Sequence, residues 1–170
     1  PSGSTPYPLG MADLLELTDG LPEVALAPGD VLVEDGTRTG AVWVLLSGTV
    51  RVTKHGALIS TIDRPGVAFG EVAVLLGSDH TATVSAATEC RFRVALDGRA
   101  FLLERPEVLL VVAGDLAARL DLVTTYLADL RNQYVGSPGL EMVSTVLGRL
   151  GAALPGPSLP GSVRDPDPEY

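Results

Sequence analysis

The chain has 170 residues, 46% of them apolar, a length and composition that fit one folded domain with short appendages and exclude an intrinsically disordered protein. Twelve Lys and Arg against twenty-one Asp and Glu leave a formal charge of −9, with Lys54 the only lysine, so the basic footprint that nucleic-acid phosphates require is excluded. With no run near the roughly 18 apolar residues of a membrane span and no basic-then-apolar N-terminus, the expectation is a cytoplasmic protein that touches neither membrane nor nucleic acid.

Residues 1–10, ahead of the first methionine at Met11, are expected to form a flexible segment outside the fold. Leu14, Leu15 and Leu17 predict one or two helical turns that end at the Asp19-Gly20 turn signal. From about Val24 to Leu96, β-branched runs alternate with glycine-centred turns. The runs are Val24–Leu26, Val31–Val33, Val42–Leu46, Thr49–Thr53, Leu58–Ile62, Thr81–Ser85 and Cys90–Val94. Short strands at this spacing predict an antiparallel β-roll or jelly roll, mainly β with flanking helices. Cys90, alone and among apolar neighbours, reads as a buried thiol.

Beyond Asp97 the pattern turns helical. Asp97 is placed to cap a short helix through Phe101, Leu102 and Leu103 that stops at Arg105, because the residue before Pro106 is pushed out of the helical region. A long helix then runs from about Glu107 to Tyr134. Leu109, Ala113, Leu116, Leu120, Val123, Leu127, Leu130 and Tyr134 repeat in alternating steps of four and three, an a/d seam of nearly four heptads that predicts a homodimer through residues 109–134. Val112 and Leu122, off the seam, are assigned to the barrel side. The domain is therefore placed at 11–134 and an appendage at 135–170, with one short helix over about 138–154 carrying Leu140, Val143, Val146, Leu147, Leu150 and Leu154 on one face, then an irregular Pro-rich tail.

Phe69–Val84 is the stretch that carries chemistry. A glycine and a carboxylate, Gly70 and Glu71, precede a short apolar turn, a residue that can become cationic, His80, and then a strand. Backbone N–H groups at the start of such a turn can point at an oxyanion, Gly70 permits close approach, Glu71 can accept from a hydroxyl, and His80 can supply positive charge.

Leu26–Leu32, Gly36, Val44–Val52, Gly66, Phe69–Val84 and Phe101–Pro106, in this order and spacing, resemble the cyclic-nucleotide-binding domains of CRP-type bacterial regulators and of the regulatory subunit of cAMP-dependent kinase. The resemblance covers roughly residues 11–134. It implies that Gly70 and Glu71 hold a ribose 2′-hydroxyl and that the amides of Val72 and Ala73 help hold the cyclic phosphate. His80, with Thr81 beside it, stands where an arginine meets that phosphate. On the long helix, Arg119, Thr124 and Thr125 are implied as purine contacts that link ligand to dimer. Exchanging a permanently charged bidentate fork for an imidazole forgoes a charge-assisted bond of roughly 1.5–3 kcal/mol, at least ten- to a hundredfold in affinity.

The expected function is a stand-alone regulatory module that senses cAMP or cGMP weakly, with no other cofactor. A different small ligand and a ligand-free adaptor docking an unknown protein through the 138–154 helix are the alternatives. No recognition helix can be placed after Tyr134. A metal-binding cupin, the rival jelly roll, needs clustered histidines, and this chain has only His55 and His80, so it is not expected to be an enzyme. Trp43 is read as a sheet residue without a functional role.

Overall fold

The computed structural model describes residues 14–133, 145–146 and 148–149. Contacts divide the chain into two units, Pro1–Leu116 and Ala117–Tyr170. In chain order the elements are α1 (Leu14–Leu17), β1 (Glu23–Leu26), β2 (Val31–Val33), β3 (Val42–Ser47), β4 (Val50–Lys54), β5 (Ala57–Ile62), β6 (Ala68–Phe69), α2 (Glu71–Leu76), β7 (Thr83–Ala86), β8 (Cys90–Ala95), α3 (Gly98–Glu104) and α4 (Pro106–Gln133). Two four-stranded antiparallel sheets, ordered β1-β8-β3-β6 and β2-β7-β4-β5, form the expected β-roll.

All seven segments expected as strands are strands, and two elements were not foreseen. β6 has only two residues, too few for alternation to register in the sequence. It exists because Phe69 pairs with Trp43 and Ala68 with Val44. α2, read as an apolar turn, is a six-residue helix. The expected segment 1–10 and most of the expected 138–154 helix lie outside the described residues. Thr145, Val146, Gly148 and Arg149, which are described, are helical.

The run Val42–Leu45 is apolar without alternation because both faces of β3 are covered. Trp43 and Leu45 enter the core between the sheets, with Val50, Phe69, Val84, Cys90 and Phe92. Val42 and Val44 enter a second cluster with Leu14, Val74, Phe101, Leu102, Val108 and Val112. Phe69 and Phe92 meet edge to face at 6.2 Å. Each such apolar side chain contributes roughly 1.5–3 kcal/mol on burial. Cys90 is buried as expected, its thiol donating to the Thr49 carbonyl at 3.2 Å. The β4–β5 hairpin turns on His55-Gly56, with φ of 50° and 80°, the pair of positive angles that a two-residue type I′ turn demands.

The helices begin where the sequence signals them. The Asp97 carboxylate accepts from the Ala100 N–H at 2.9 Å and caps α3. Pro106 opens α4, where its missing N–H costs nothing. Val108 and Val112 are buried, and Leu109, Val111 and Leu116 pack partly against the same cluster. One residue is 100° of rotation on a helix, so Val108 and Val112 form a stripe turned away from the seam that starts at Leu109. Val112 thus faces the core as expected, whereas Leu122, expected on the same side, is 71% exposed. On the seam, Leu120 and Val123 are both exposed. No helix among the described residues is long and apolar enough to cross a membrane.

Arginines fasten α1 to this framework. Arg93 on β8 donates to the Leu15 carbonyl and to Asp19, and Arg105, at the α3–α4 junction, donates to the Leu17 carbonyl at 2.9 Å. The Leu15 and Leu17 carbonyls lie in a four-residue helix and are among the groups such a helix leaves without partners.

Candidate functional site

Gly70 sits at the N-cap of α2 with φ 81°, in the left-handed region that L side chains disfavour. A Cβ built there falls 2.5 Å from the Ala41 carbonyl oxygen and 2.9 Å from Cζ3 of Trp43. Both conformation and space therefore demand glycine. The turn lays Glu71 at the first position of α2, where its side chain is buried, with the residue 4% exposed. The Val74 N–H closes the first helical bond, onto the Gly70 carbonyl at 3.1 Å. Consequently the amides of Glu71, Val72 and Ala73 have no acceptor within the helix. Val72 is half-buried and Ala73 buried.

The far end of the segment is fixed by hydrogen bonds to the β2–β3 loop. The His80 N–H donates to the Thr37 carbonyl at 2.7 Å, and its carbonyl accepts from the Gly36 N–H at 2.8 Å. Arg38 donates from Nε to Asp79 Oδ1 at 3.1 Å and from Nη2 to the Gly77 carbonyl at 2.7 Å. The imidazole of His80 is buried, with the residue 5% exposed. Its Nε2 lies 2.8 Å from the Thr39 hydroxyl. Burial pushes its pKa below the ordinary 6.5, and the adjacent Asp79 carboxylate offsets part of that shift. Thr81, next along, is exposed. Thr83 accepts from the Asp35 N–H at 3.0 Å, a further tie between loop and segment.

Trp43 joins the two ends, which the sequence did not indicate. Its ring lies against Gly70, and its centroid is 6.2 Å from that of His80 at an interplanar angle of 51°. Thr39 and Arg38 were likewise missed, since a threonine and an arginine in a turn-rich loop carry no signal of what they bond 41 and 39 residues away. The expected residues Gly70, Glu71, Val72, Ala73, His80 and Thr81 fall in one segment folded around Trp43. The other three stand on α4 beyond Leu116, Arg119 and Thr125 exposed and Thr124 half-buried. Among the described residues no group of three His, Cys, Asp or Glu is placed to hold a metal ion.

Comparison with known proteins agrees with this geometry. The model of the cyclic nucleotide-binding domain family matches residues 23–102. A cGMP-dependent protein kinase of Drosophila melanogaster is 30% identical over 82 residues, 48% of this chain and 7% of the kinase. The cAMP-dependent protein kinase regulatory subunit of Yarrowia lipolytica is 33% identical over 85 residues, 49% of this chain and 22% of the subunit. The chain thus spans a small part of the length of these relatives. A transcriptional regulator from Thermotoga maritima shares the fold with a TM-score of 0.58 at 17% identity, over 71% of this chain and 99% of that one. Through residues 23–102, the β-roll with its Gly70–Glu71 turn, the chain is similar to the cyclic nucleotide-binding domain family.

Proposed function

We propose that this chain is a non-catalytic regulatory module that takes cAMP or cGMP weakly in the segment Phe69–Val84. Glu71 accepts from the ribose hydroxyl, Gly70 lets the sugar approach the backbone, and the free amides of Val72 and Ala73 face the cyclic phosphate. His80 and Thr81 stand on the phosphate side, and Arg119, Thr124 and Thr125 are the helix residues offered to the purine. The observation that carries this reading is Glu71, a carboxylate 4% exposed beside a left-handed glycine in a family match that covers it.

Calorimetric titration with cAMP and with cGMP at pH 8, 7 and 6 tests it. In the free protein the His80 pKa lies below 6.5. A bound phosphate raises it, because an opposite charge at contact favours the imidazolium. Between those two pKa values binding takes up about one proton, so affinity strengthens as pH falls from about 8 to about 6. His80→Arg is expected to bind tighter, by about 1 kcal/mol or more, and to lose the pH dependence. Measurable binding that ignores pH removes His80 from the phosphate contact. Absence of heat with either nucleotide, in both proteins, rejects the reading.

The second reading is a ligand-free adaptor, and the burial of His80 favours it, because a neutral buried ring offers an anion little. Either module is proposed to dimerise through residues 109–134, supported by the exposure of Leu120 and Val123 on the seam. Leu120→Glu with Leu127→Glu is expected to give monomers by light scattering. A wild type already monomeric at high micromolar concentration rejects the dimer.

A further inference from the structure

The backbone of His80 is bonded on both sides, to Thr37 and to Gly36, so only its side-chain torsions are free to vary. Two neighbours set them, the Trp43 ring at 6.2 Å and the Thr39 hydroxyl at 2.8 Å from Nε2. The Thr39 oxygen also accepts from the Ala41 N–H at 3.5 Å, which leaves its proton and one lone pair for the ring. When the imidazole is neutral with its proton on Nδ1 the hydroxyl donates to Nε2, and when Nε2 carries a proton the hydroxyl accepts from it. The charged groups at this end are Asp79, adjacent in the chain, and Arg38, which occupies one Asp79 oxygen and the Gly77 carbonyl. Glu71, the other buried ionisable group of the segment, opens α2.

We propose that Thr39 is a positioning residue: its hydroxyl holds the His80 ring beside Trp43 in either charge state and thereby sets how readily the ring becomes the cation that an anionic ligand meets. This rests on the cyclic-nucleotide reading above. Because a hydroxyl can donate or accept, the bond survives protonation by reversing direction, so the ring keeps its place while its charge changes. A ring held in this way discriminates against a phosphodiester anion near neutral pH and accommodates it after protonation. The loop residue therefore sets the pH at which the site accepts its ligand.

The test follows the imidazole C2 proton resonances of the full-length chain through a pH titration, for wild type, Thr39→Val and Thr39→Ser. In wild type His80 titrates below 6.5. Thr39→Val keeps the shape but removes the acceptor, and because the bond to the charged ring is the stronger one, the His80 midpoint moves further down. The pH at which cAMP or cGMP affinity rises moves with it, by the same interval. Thr39→Ser, which keeps the hydroxyl, restores both. A merely structural threonine would lower stability without moving either profile. A midpoint unmoved in Thr39→Val overturns the proposal, as does a moved midpoint with an unmoved affinity profile. A moved midpoint with no binding of either nucleotide in any variant leaves the hold of Thr39 on the ring established and overturns the cyclic-nucleotide reading instead.

Discussion

The two ends of the segment from Gly70 to His80 are held by different physics. At Gly70 the backbone passes so close to the Ala41 carbonyl and to Trp43 that no side chain fits, and the left-handed angle excludes one independently. At His80 the hold is largely polar. The residue is held by two backbone bonds, a hydroxyl and a ring contact, each contributed by residues 36–43. An end fixed by exclusion tolerates no substitution, whereas an end fixed by polar partners can change its residue provided the partners change with it.

The largest effect should come from Gly70→Ala. It adds a left-handed conformational cost to a carbonyl clash that only backbone movement relieves, roughly 3 kcal/mol in all. Gly77, at the other end of α2, is also left-handed, with φ 61°, but has nothing within 4 Å of a built Cβ. Gly77→Ala should therefore cost only the conformational part, about 1 kcal/mol. Urea unfolding of the two variants separates conformation from contact, and equal losses would show that the approach of Ala41 and Trp43 is unimportant.

Next comes Glu71→Ala, expected to weaken cyclic-nucleotide affinity by about ten- to a hundredfold through loss of a charged acceptor. Calorimetry at pH 6, where binding is strongest, is the appropriate measurement. Unchanged affinity would remove Glu71 from the site and leave Gly70 with a purely architectural role.

Much of this was legible in the sequence because it depends on local pattern. β-branched runs between glycine-centred turns marked the long strands, Asp97 and Pro106 marked helix starts, and Gly70-Glu71 marked the turn. The illegible part depends on pairs far apart in the chain. The two-residue β6 is defined by its β3 partners, and Thr39 gains its role only because the roll brings it to His80. Trp43 looked like one more core residue, since a sequence shows that a tryptophan is buried but not which two backbones it separates. On α4 the heptad seam and the core stripe are interleaved, so the periodicity could not say that Val108 and Val112 would be buried while Leu122 stays exposed.

A smaller effect distinguishes the polar end by pH. His80 has a lowered pKa in the folded protein, so between 6.5 and that lower value the unfolded chain binds more protons. Stability contributed by this group is complete above about 6.5 and declines as pH falls through the window. Carboxylates titrate in wild type and variant alike, so the comparison with His80→Gln over pH 7.5 to 5 isolates the ring. The variant should show the shallower decline, and identical slopes would mean that the buried imidazole titrates no differently from one in the unfolded chain.

The smallest effect is expected from Arg38→Ala, and it asks whether the polar end is clamped from outside or from within. Arg38 and Asp79 are each 59% exposed in their side chains, so their attraction is screened and ordering two flexible groups offsets much of it. The bond to the Gly77 carbonyl adds a neutral acceptor at the end of α2, where a cation also meets the negative end of the helix dipole. Together these should be worth about 0.5–1 kcal/mol at low ionic strength and less in 1 M salt. The Arg38→Ala and Asp79→Ala cycle should give a coupling at the low end of that range. The inner bond from Thr39 to His80 is buried on the ring side and escapes this screening, so the His80 titration should be little altered in Arg38→Ala. A large shift of that titration on losing Arg38 would place control of the ring in the outer clamp and not in the threonine.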